Sequence, residues 1–416
     1  MPSPRTGVLL TLAALAASTS AQNATTKPLS TLMIESAISR QHGVVSSGAS
    51  TSTLESGILA LSTQAWLELY GNDSSTPPEQ VTDFVSYVDE IIASVTSAPA
   101  FSNATAAALL PLDRLSVAQA ILNLEEAPGA DGELTAAEAL ALDTLNSSLA
   151  LQRRNQAGGL FYYVYPYWSY LDGTVSFLPY MAEEPSAAYS AADMLLQITL
   201  LYEKCFQEST GLVVHGYDAS QTAVWANNAT GASPYVWGRA LGWYLAGLVN
   251  AWEVLTAEGD GDCAGAGGGE DGSCADLLAA IKDQASTLTT NIARYADEET
   301  GVWWQMPTFP GREGNFLESS STVLYIFSIL KGLRLGLLED NQPLADVALR
   351  AYDYTANEFV VDYKNGTLGW NGTVIVCSLN STATYEYYTG RPVVFDAPLG
   401  EAAFVWASLE VERLGA

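Results

Sequence analysis

The chain has 416 residues, of which 46 are Asp or Glu and 17 are Lys or Arg, so its formal net charge is −29. So acidic a surface keeps a protein soluble and argues against nucleic acid or an anionic membrane as a partner, because both would repel it. No stretch of about 18 consecutive apolar residues follows the amino end, so no membrane span is predicted. Any anionic substrate must therefore be captured by a local cationic group.

The amino end has the three parts of a secretory signal peptide. Arg5 provides the positive charge, residues 8–17 form a short apolar run, and residues 19–21 form a small-residue cleavage site. We therefore predict that residues 1–21 are a signal peptide and that the mature protein is secreted. No Pro/Ser-rich linker divides the rest, so residues 22–416 are predicted to form a single domain.

Glycosylation motifs and cysteines support an oxidising, extracellular compartment. Eight asparagines begin an Asn-x-Ser/Thr motif and are predicted surface sites for N-linked glycans: Asn23, Asn72, Asn103, Asn146, Asn228, Asn365, Asn371 and Asn380. Cys263 and Cys274 bracket a glycine-rich acidic segment, and we favour a disulfide between them. Cys205 and Cys377 would then be left to pair over a long range, if at all; four cysteines allow three connectivities.

Helical periodicity dominates the chain. An apolar stripe recurs every three or four residues at Trp237, Leu241, Leu245, Leu248, Trp252 and Leu255, and a second one extends over residues 317–337. Further helices are predicted at residues 52–70, 80–97, 112–124, 135–151, 187–208, 275–297, 342–361 and 398–413. No sustained alternation of period two occurs, so strands should be few and short. The chain is predicted to be all-α, either a superhelical array of helix pairs or a closed double ring of six helical hairpins.

The first candidate site segment, residues 162–173, is an aromatic run that ends in Asp172-Gly173. Aromatic rings stack on the apolar faces of sugars, and a weakly polar setting raises a carboxyl pKa towards that of a general acid. The alternative is that the tyrosines pack in the core and that Asp172 caps a helix beginning at Thr174.

The second segment contains Trp237, Arg239 and Trp243, preceded by His215 in a polar cluster that we interpret as a turn. Arg239 and Trp243 are four residues apart and are predicted to be helical neighbours, able to hold a carboxylate and to pack on a sugar. An Arg–Trp pair without a ligand and a structural histidine are the alternatives. With only two histidines, His42 and His215, the chain offers no histidine-rich metal site.

The third segment contains Trp304, Gln305 and, further on, Asn315 and Glu318. Glutamate three residues after Asn315 is a variant of the capping box, so we favour Glu318 as part of a helix cap over a catalytic role.

Taken in order, these segments resemble those of the unsaturated rhamnogalacturonyl hydrolases and, more distantly, the unsaturated glucuronyl hydrolases. The resemblance runs from Asp113 to the carboxyl end and includes Asp172-Gly173, the turn with His215, Trp237-x-Arg239-x-x-x-Trp243, and the late motif with Trp304 and Gln305. The chain departs from the family pattern in having Ala240-Leu241 after Arg239, and Tyr170 where a tryptophan is usual.

The resemblance implies an (α/α)6 toroid and a glycoside hydrolase that needs no cofactor. Its substrate would be an oligosaccharide of the kind that pectin lyases release, with a 4,5-unsaturated galacturonyl end. Asp172 would hydrate the double bond with Asp113 in support. Substrate contacts would come from the following residues: Tyr170, His215, Trp237, Arg239, Trp243, Trp304 and Gln305. A conventional inverting glycosidase that pairs Asp172 with Asp113 or Glu318, and a non-catalytic glycan-binding protein, remain as alternatives.

Overall fold

The computed structural model describes residues 27–47, 52–124, 133–163, 166–184, 190–257 and 273–415. Within them, twelve principal helices follow one another: α1 Leu29–Arg40, α2 Thr53–Tyr70, α3 Pro78–Thr96, α4 Arg114–Leu122, α5 Ala136–Ala150, α6 Thr174–Glu183, α7 Ala191–Cys205, α8 Gly238–Thr256, α9 Ser273–Ala293, α10 Ser319–Arg334, α11 Gln342–Glu358 and α12 Pro398–Gly415. The predicted signal peptide, Asn23 and Cys263 lie outside the described residues, so the predictions about them stay predictions.

The even-numbered helices form a closed inner ring. Each packs against the next even-numbered helix in the chain, from α2 through α10, and α12 closes the ring by packing against both α10 and α2. The odd-numbered helices lie outside, each against inner helices that adjoin it: α1 on α12, α3 on α2, α5 on α4, α7 on α6, α9 on α8 and α11 on α10. This arrangement is the predicted (α/α)6 toroid, and it excludes the superhelical array.

Burial along the helices explains this division. Helix α8 is buried without a break over residues 238–249, and α10 over residues 319–330, whereas α3 buries one stripe formed by Phe84, Tyr87, Val88, Ile91, Ile92 and Val95. A helix that is buried on all sides must lie in the middle of the molecule, and one with a single apolar stripe belongs at the surface. The apolar pattern of each helix therefore assigns its ring.

The predicted helices agree with the observed ones except at their ends. Residues 187–208 and 342–361, for example, contain α7 and α11. Helix α1 was not predicted, because three of its buried positions carry hydroxyl groups that interrupt the apolar stripe. The Ser30 hydroxyl donates to Glu412 (2.6 Å), Thr31 accepts from the Trp66 indole (2.8 Å), and Ser36 donates to the Leu32 carbonyl (2.6 Å).

The strands are few and short, as predicted. Within the described residues they form four antiparallel pairs: β1 Ser169–Tyr170 with β4 Gly216–Tyr217, β2 Phe206–Gln207 with β3 Leu212–Val213, β5 Val360–Asp362 with β6 Leu368–Trp370, and β7 Thr373–Val374 with β8 Val393–Val394. They lie in the connections between helices and join the loops at one end of the barrel.

Among the predicted glycosylation sites, Asn72, Asn103, Asn228, Asn365 and Asn380 are exposed, and Asn146 and Asn371 are half-buried. Cys205 and Cys377 are both buried and free, so the long-range disulfide is not formed. None of the described helices combines the length and the apolar character that a membrane crossing requires.

Candidate active site

The sequence-predicted site residues meet at one end of the barrel, where the inner helices begin. Asp113 immediately precedes α4, Asp172 lies in a 3-10 turn just before α6, Trp237 caps α8 and Glu318 caps α10. The amino ends of helices carry partial positive charge from their unpaired N–H groups. A ligand at this end therefore meets several such ends at once.

The β1–β4 pair brings His215 next to Asp172, although 43 residues separate them in the sequence. Tyr170 lies opposite Gly216, and the Leu171 amide donates to the His215 carbonyl at 3.1 Å. A Cβ atom on residue 216 would lie 2.4 Å from the Ser169 carbonyl oxygen, so the strands can approach this closely only with glycine there. His215, which the sequence predicted to lie in a turn, lies in a bend between β3 and β4.

Asp172 and His215 form the centre of the site. Oδ2 of Asp172 lies 3.2 Å from Nε2 of His215, but the two atoms are not aligned as a hydrogen bond, and neither has another hydrogen-bond partner among the described residues. Buried polar atoms without a partner are rare in folded proteins, and functional sites are one reason for them. We interpret the pair as directed at a bound ligand.

Asp113 is the second carboxyl group. Its Oδ1 accepts a hydrogen bond from the Tyr162 hydroxyl at 2.6 Å. Burial raises the pKa of Asp113 to about 7; the Tyr162 hydrogen bond opposes this rise, and the negative charge of Asp172 adds to it. Asp113 can therefore exchange a proton near neutral pH, which suits a group that supports acid–base chemistry.

Tyrosines line the two carboxyl groups. The ring centroid of Tyr162 lies 4.5 Å from that of Tyr163 and 5.0 Å from that of Tyr170, and Tyr170 meets the His215 ring edge-on at 5.3 Å. Burial raises the pKa of Tyr163 and of Tyr170, so both hydroxyls stay protonated. The aromatic run therefore encloses the carboxyl groups. The alternative that Asp172 merely caps α6 is wrong, since its side chain makes no capping hydrogen bond.

The tryptophan–arginine motif lies behind this surface. Trp237, Arg239 and Trp243 are only 1%, 2% and 1% exposed. The guanidinium of Arg239 donates to the Val374 carbonyl at 2.5 Å and lies 4.9 Å from the ring of Trp237. The sequence spacing suggested that Arg239 would pack on Trp243, but its guanidinium lies over the ring of Trp237. The reason is that a helical side chain leans towards the amino end of its helix.

Gln305 and Trp304 differ in what they offer a ligand. Gln305 is fully buried; its Oε1 accepts from the Trp237 indole at 3.2 Å, and its Nε2 donates to the Tyr388 carbonyl at 3.2 Å. Trp304 is half-buried, and its indole N–H has no hydrogen-bond partner among the described residues. Gln305 therefore holds Trp237 and Tyr388 in place, whereas the indole N–H of Trp304 makes no such contact within the described part of the chain.

Sequence reasoning missed Tyr388. This residue lies on a short helix, Tyr385–Thr389, and its hydroxyl is 2.8 Å from Nδ1 of His215. Three tyrosines within four residues, Tyr385, Tyr387 and Tyr388, were the available signal. Nothing in that pattern predicts contact with a histidine 173 positions earlier.

Glu318 is a helix cap, as favoured from the sequence, although the capping residue is Glu318 itself and not Asn315. One of its carboxylate oxygens accepts from the Ser321 amide and hydroxyl, both at 2.7 Å, and the other accepts from the Ser320 hydroxyl at 2.7 Å and the Val374 amide at 3.0 Å. The side chain is fully buried. Glu318 is therefore unsuited to serve as the second carboxylate of an inverting glycosidase.

Replacing Glu318 should mainly affect folding. In Glu318→Ala the buried Ser321 and Val374 amides lose their acceptor, so we expect the free energy of unfolding to fall by about 3 kcal/mol or more. Glu318→Gln keeps one oxygen acceptor and should lose less. Thermal unfolding of both variants measures the effect, and an unfolding temperature of Glu318→Ala equal to that of the wild type would contradict the capping role.

The helical toroid thus holds two buried carboxyl groups in different environments, enclosed by aromatic rings. Such a site is typical of an enzyme that acts on glycosidic substrates. The family model of Glycosyl Hydrolase Family 88 matches residues 81–415, and the chain belongs to that family. It is a glycoside hydrolase, and the resemblance deduced from the sequence motifs is confirmed.

The chain is also similar to a curated relative and shares its fold with solved structures. Protein Atu3128 of Agrobacterium fabrum is 31% identical over 214 residues, which are 49% of this chain and 83% of that protein. A family 105 glycoside hydrolase of C. acetobutylicum has the same fold, with a TM-score of 0.73 at 23% identity over 93% of this chain and 100% of its own. An unsaturated glucuronyl hydrolase of Bacillus sp. GL1 is similar with a TM-score of 0.57 at 14% identity, over 91% and 97% of the two chains.

Proposed function

We propose that this enzyme removes a 4,5-unsaturated uronic acid, most suitably a galacturonyl residue, from the non-reducing end of an oligosaccharide by hydrating the double bond. The observation that carries the proposal is the Asp172–His215 pair, whose facing atoms have no other hydrogen-bond partner among the described residues, next to Asp113 with a pKa of about 7. A conventional inverting glycosidase would place water between two carboxylates. Here the group that faces Oδ2 of Asp172, at 3.2 Å, is Nε2 of His215, and the second carboxyl group, Asp113, is bonded to Tyr162.

The first chemical step is a proton transfer. Protonated Asp172 donates its proton to C4, the C4–C5 double bond supplies the electron pair for the new C4–H bond, and positive charge develops at C5 and on the ring oxygen. The resulting Asp172 carboxylate faces Nε2 of His215 at 3.2 Å. General acid catalysis of this kind contributes about 10²- to 10⁴-fold.

In the second step Asp172 acts as the base. Its carboxylate takes a proton from a water molecule, and the water oxygen bonds to C5, which restores the protonated acid. The product is a hemiketal; its ring opens to a C5 ketone and leaves a hemiacetal at C1, which loses the remaining oligosaccharide as an alcohol. One carboxyl group thus serves as acid and then as base, and atoms and charges balance with water as the only co-reactant.

The uronate carboxylate needs compensation in so acidic a protein. Arg239 was predicted to provide it, but its guanidinium is 2% exposed and bonded to Val374, so it acts through space. The amino ends of α4, α6 and α8 surround the same region and favour an anion there. We propose that the uronate carboxylate faces these helix ends.

The uronyl class is supported from two sides. Similar folds include an unsaturated glucuronyl hydrolase specific for heparin, and the site motifs of this chain resemble those of the unsaturated rhamnogalacturonyl hydrolases. Tyr170, in place of the usual tryptophan, contacts the His215 ring, so it lies where a difference between galacturonyl and glucuronyl groups could be sensed.

A substrate panel tests the proposal. We expect the ultraviolet absorbance of the double bond to disappear with unsaturated galacturonyl-rhamnose, at least tenfold faster than with unsaturated glucuronyl disaccharides, and no hydrolysis of the saturated galacturonyl disaccharide. Water labelled with ¹⁸O should place its oxygen at C5. Cleavage of only the saturated substrate would contradict the hydration mechanism, and binding without turnover would favour a glycan-binding protein.

We also propose that the enzyme works outside the cell, where its signal-like amino end would send it. Expression with the native amino end in a eukaryotic secretory host should release protein that begins near Gln22. Peptide mass spectrometry should find glycans on the exposed motif asparagines, such as Asn228 and Asn380. Retention of the protein inside the cells with residues 1–21 attached would contradict this proposal.

A further inference from the structure

The hydroxyl of Tyr388 is the hydrogen-bond partner of His215 on the side away from Asp172. It lies 2.8 Å from Nδ1 of the imidazole, and both residues are fully buried. The ring of His215 is further enclosed by Trp237, with centroids 4.7 Å apart, and by Tyr170. The imidazole is therefore held in one orientation, with Nδ1 towards Tyr388 and Nε2 towards Asp172.

The direction of the Tyr388 hydrogen bond follows from what each group can donate. A phenol has one hydrogen, and Nδ1 is the only partner recorded for it within the described residues. Burial raises the pKa of Tyr388 well above its ordinary value, so the phenol keeps that hydrogen. If the imidazole donated instead, the buried phenolic hydrogen would be left without an acceptor, which is costly.

The contact on the Nε2 side of the imidazole favours the same tautomer, with the proton on Nε2. With a proton on Nδ1, a neutral His215 would direct the lone pair of Nε2 at Oδ2 of Asp172, 3.2 Å away. Two lone pairs at that distance repel once Asp172 is ionised. With the proton on Nε2, the same contact becomes attractive, and it can tighten when a substrate closes the site.

We propose that Tyr388 is a positioning residue, which donates to Nδ1 of His215 and thereby fixes the tautomer whose Nε2–H faces Asp172. In this role Tyr388 does not touch the substrate. It determines that His215 stabilises the Asp172 carboxylate at the moment when the proton has left for C4. The consequence for the rate rests on the proposed function, but the assignment of the tautomer does not.

Support for Tyr388 is built into the surrounding loops. Its carbonyl accepts from the amide of Gln305, and Gln305 also accepts from the indole of Trp237, which packs on His215. The titratable groups that interact electrostatically with Asp172 or with Tyr388 include Asp113, Tyr162, Tyr163, Tyr170, Cys377 and Tyr387. None of these makes a recorded hydrogen bond to His215 within the part of the chain that the structure describes.

The tautomer can be measured directly, because the chain has only two histidines, His42 and His215. Long-range ¹H–¹⁵N spectra of protein labelled with ¹⁵N-histidine distinguish the two neutral tautomers, and a His42→Gln variant assigns the signals. We expect the neutral form of His215 to carry its proton on Nε2 in the wild type, and to shift towards the Nδ1–H form in Tyr388→Phe. A wild-type His215 protonated on Nδ1, or a tautomer unchanged in Tyr388→Phe, would overturn the proposal.

Kinetics test the consequence. Tyr388→Phe should lower kcat about tenfold with KM changed less than twofold, because His215 would no longer be held with Nε2–H facing the carboxylate that forms on Asp172 when the proton leaves for C4. In a His215→Gln background the same substitution should change kcat less than twofold, because Tyr388 acts through His215. Equal effects in both backgrounds would overturn the proposal.

Tyr352→Phe is the matched control. Its hydroxyl is also buried and donates to Ser408 at 3.0 Å, between α11 and α12. It should leave both the His215 signals and kcat unchanged. If Tyr388→Phe fails to fold, the wild-type tautomer alone decides the assignment; if the enzyme is inactive on unsaturated uronides, the spectra still test the role of Tyr388 while the proposed function falls.

Discussion

Replacing Asp172 by asparagine should abolish turnover while leaving the protein folded. Asparagine has nearly the shape of aspartate but cannot deliver a proton to C4 or take one from water, so kcat should fall about 10³-fold or more, with KM little changed. Because Asp172 caps no helix and Oδ2 has no hydrogen-bond partner among the described residues, the unfolding temperature should stay within a few degrees. Loss of ultraviolet absorbance from the unsaturated disaccharide measures the rate.

Asp218, another buried carboxylate, provides a control variant for Asp172→Asn. Asp218, which follows β4, accepts hydrogen bonds from the Ser220, Thr222 and Ala223 amides, each at 2.8 Å, and from the Ser220 hydroxyl. Burial raises the pKa of Asp218, but the Ser220 hydroxyl and the three amides together lower it below its ordinary value. Asp218→Asn should therefore reduce stability but keep kcat at temperatures where it is folded. If Asp172→Asn retains more than a tenth of the wild-type kcat, Asp172 is not the acid.

Replacing Asp113 by asparagine should stabilise the protein above neutral pH and slow catalysis. Burial raises the pKa of Asp113 from 3.8 to about 7, so folding disfavours its ionised form. Each pKa unit corresponds to about 1.4 kcal/mol, which puts the upper limit of the gain in Asp113→Asn at about 4 kcal/mol. The asparagine oxygen can still accept from Tyr162, and we expect a rise in unfolding temperature together with about a tenfold or greater loss of kcat.

The sign of this effect depends on pH. Well below the unfolded pKa of 3.8, Asp113 is protonated in both the folded and the unfolded chain, so its ionisation costs nothing there. Between the unfolded pKa of 3.8 and the folded pKa of about 7, stability falls as the pH rises, because the folded state holds its proton more tightly. The gain in Asp113→Asn should therefore be nearly absent at about pH 3 and complete by about pH 8.

Unfolding temperatures measured across this range check the prediction. Tyr162→Phe is the matched variant: it removes the hydrogen bond that lowers the Asp113 pKa, so it should steepen the loss of stability towards neutral pH. An Asp113→Asn protein that is less stable than the wild type at pH 8 would show that Asp113 is held in its ionised form by contacts that outweigh its burial.

Much of the fold could be predicted because the helices carry their own signals. The stripe from Trp237 to Leu255 and the apolar run that follows Leu317 are both continuous, and they became α8 and α10 of the inner ring. Helix α1 escaped because hydroxyl side chains interrupt its buried face. Helical periodicity could not predict that the helices close into a ring. Only the resemblance to a family favoured the closed ring over an open superhelical array.

The site could be predicted in part, for the same reason. Asp172, Asp113 and His215 were proposed as site residues because each stands in a short local motif, and the structure brings Asp172 and His215 within 3.2 Å of each other. The exposure of Arg239 and Trp243 was misjudged, since spacing along a helix gives the face of a side chain but not what covers that face. Val374, which receives the Arg239 hydrogen bond, comes from a hairpin 135 residues away.

The sequence by itself determined the helical class, the acidic surface and the residues able to do acid–base chemistry, because these depend on composition and on neighbours within a few turns. Only the tertiary structure decided which partners those residues have. The pKa of Asp113 depends on burial beneath Tyr162, and the partner of Asp172 depends on strand β4, whose Gly216 allows the close approach. The orientation of His215 depends on Tyr388, a contact across 173 positions that packing alone creates.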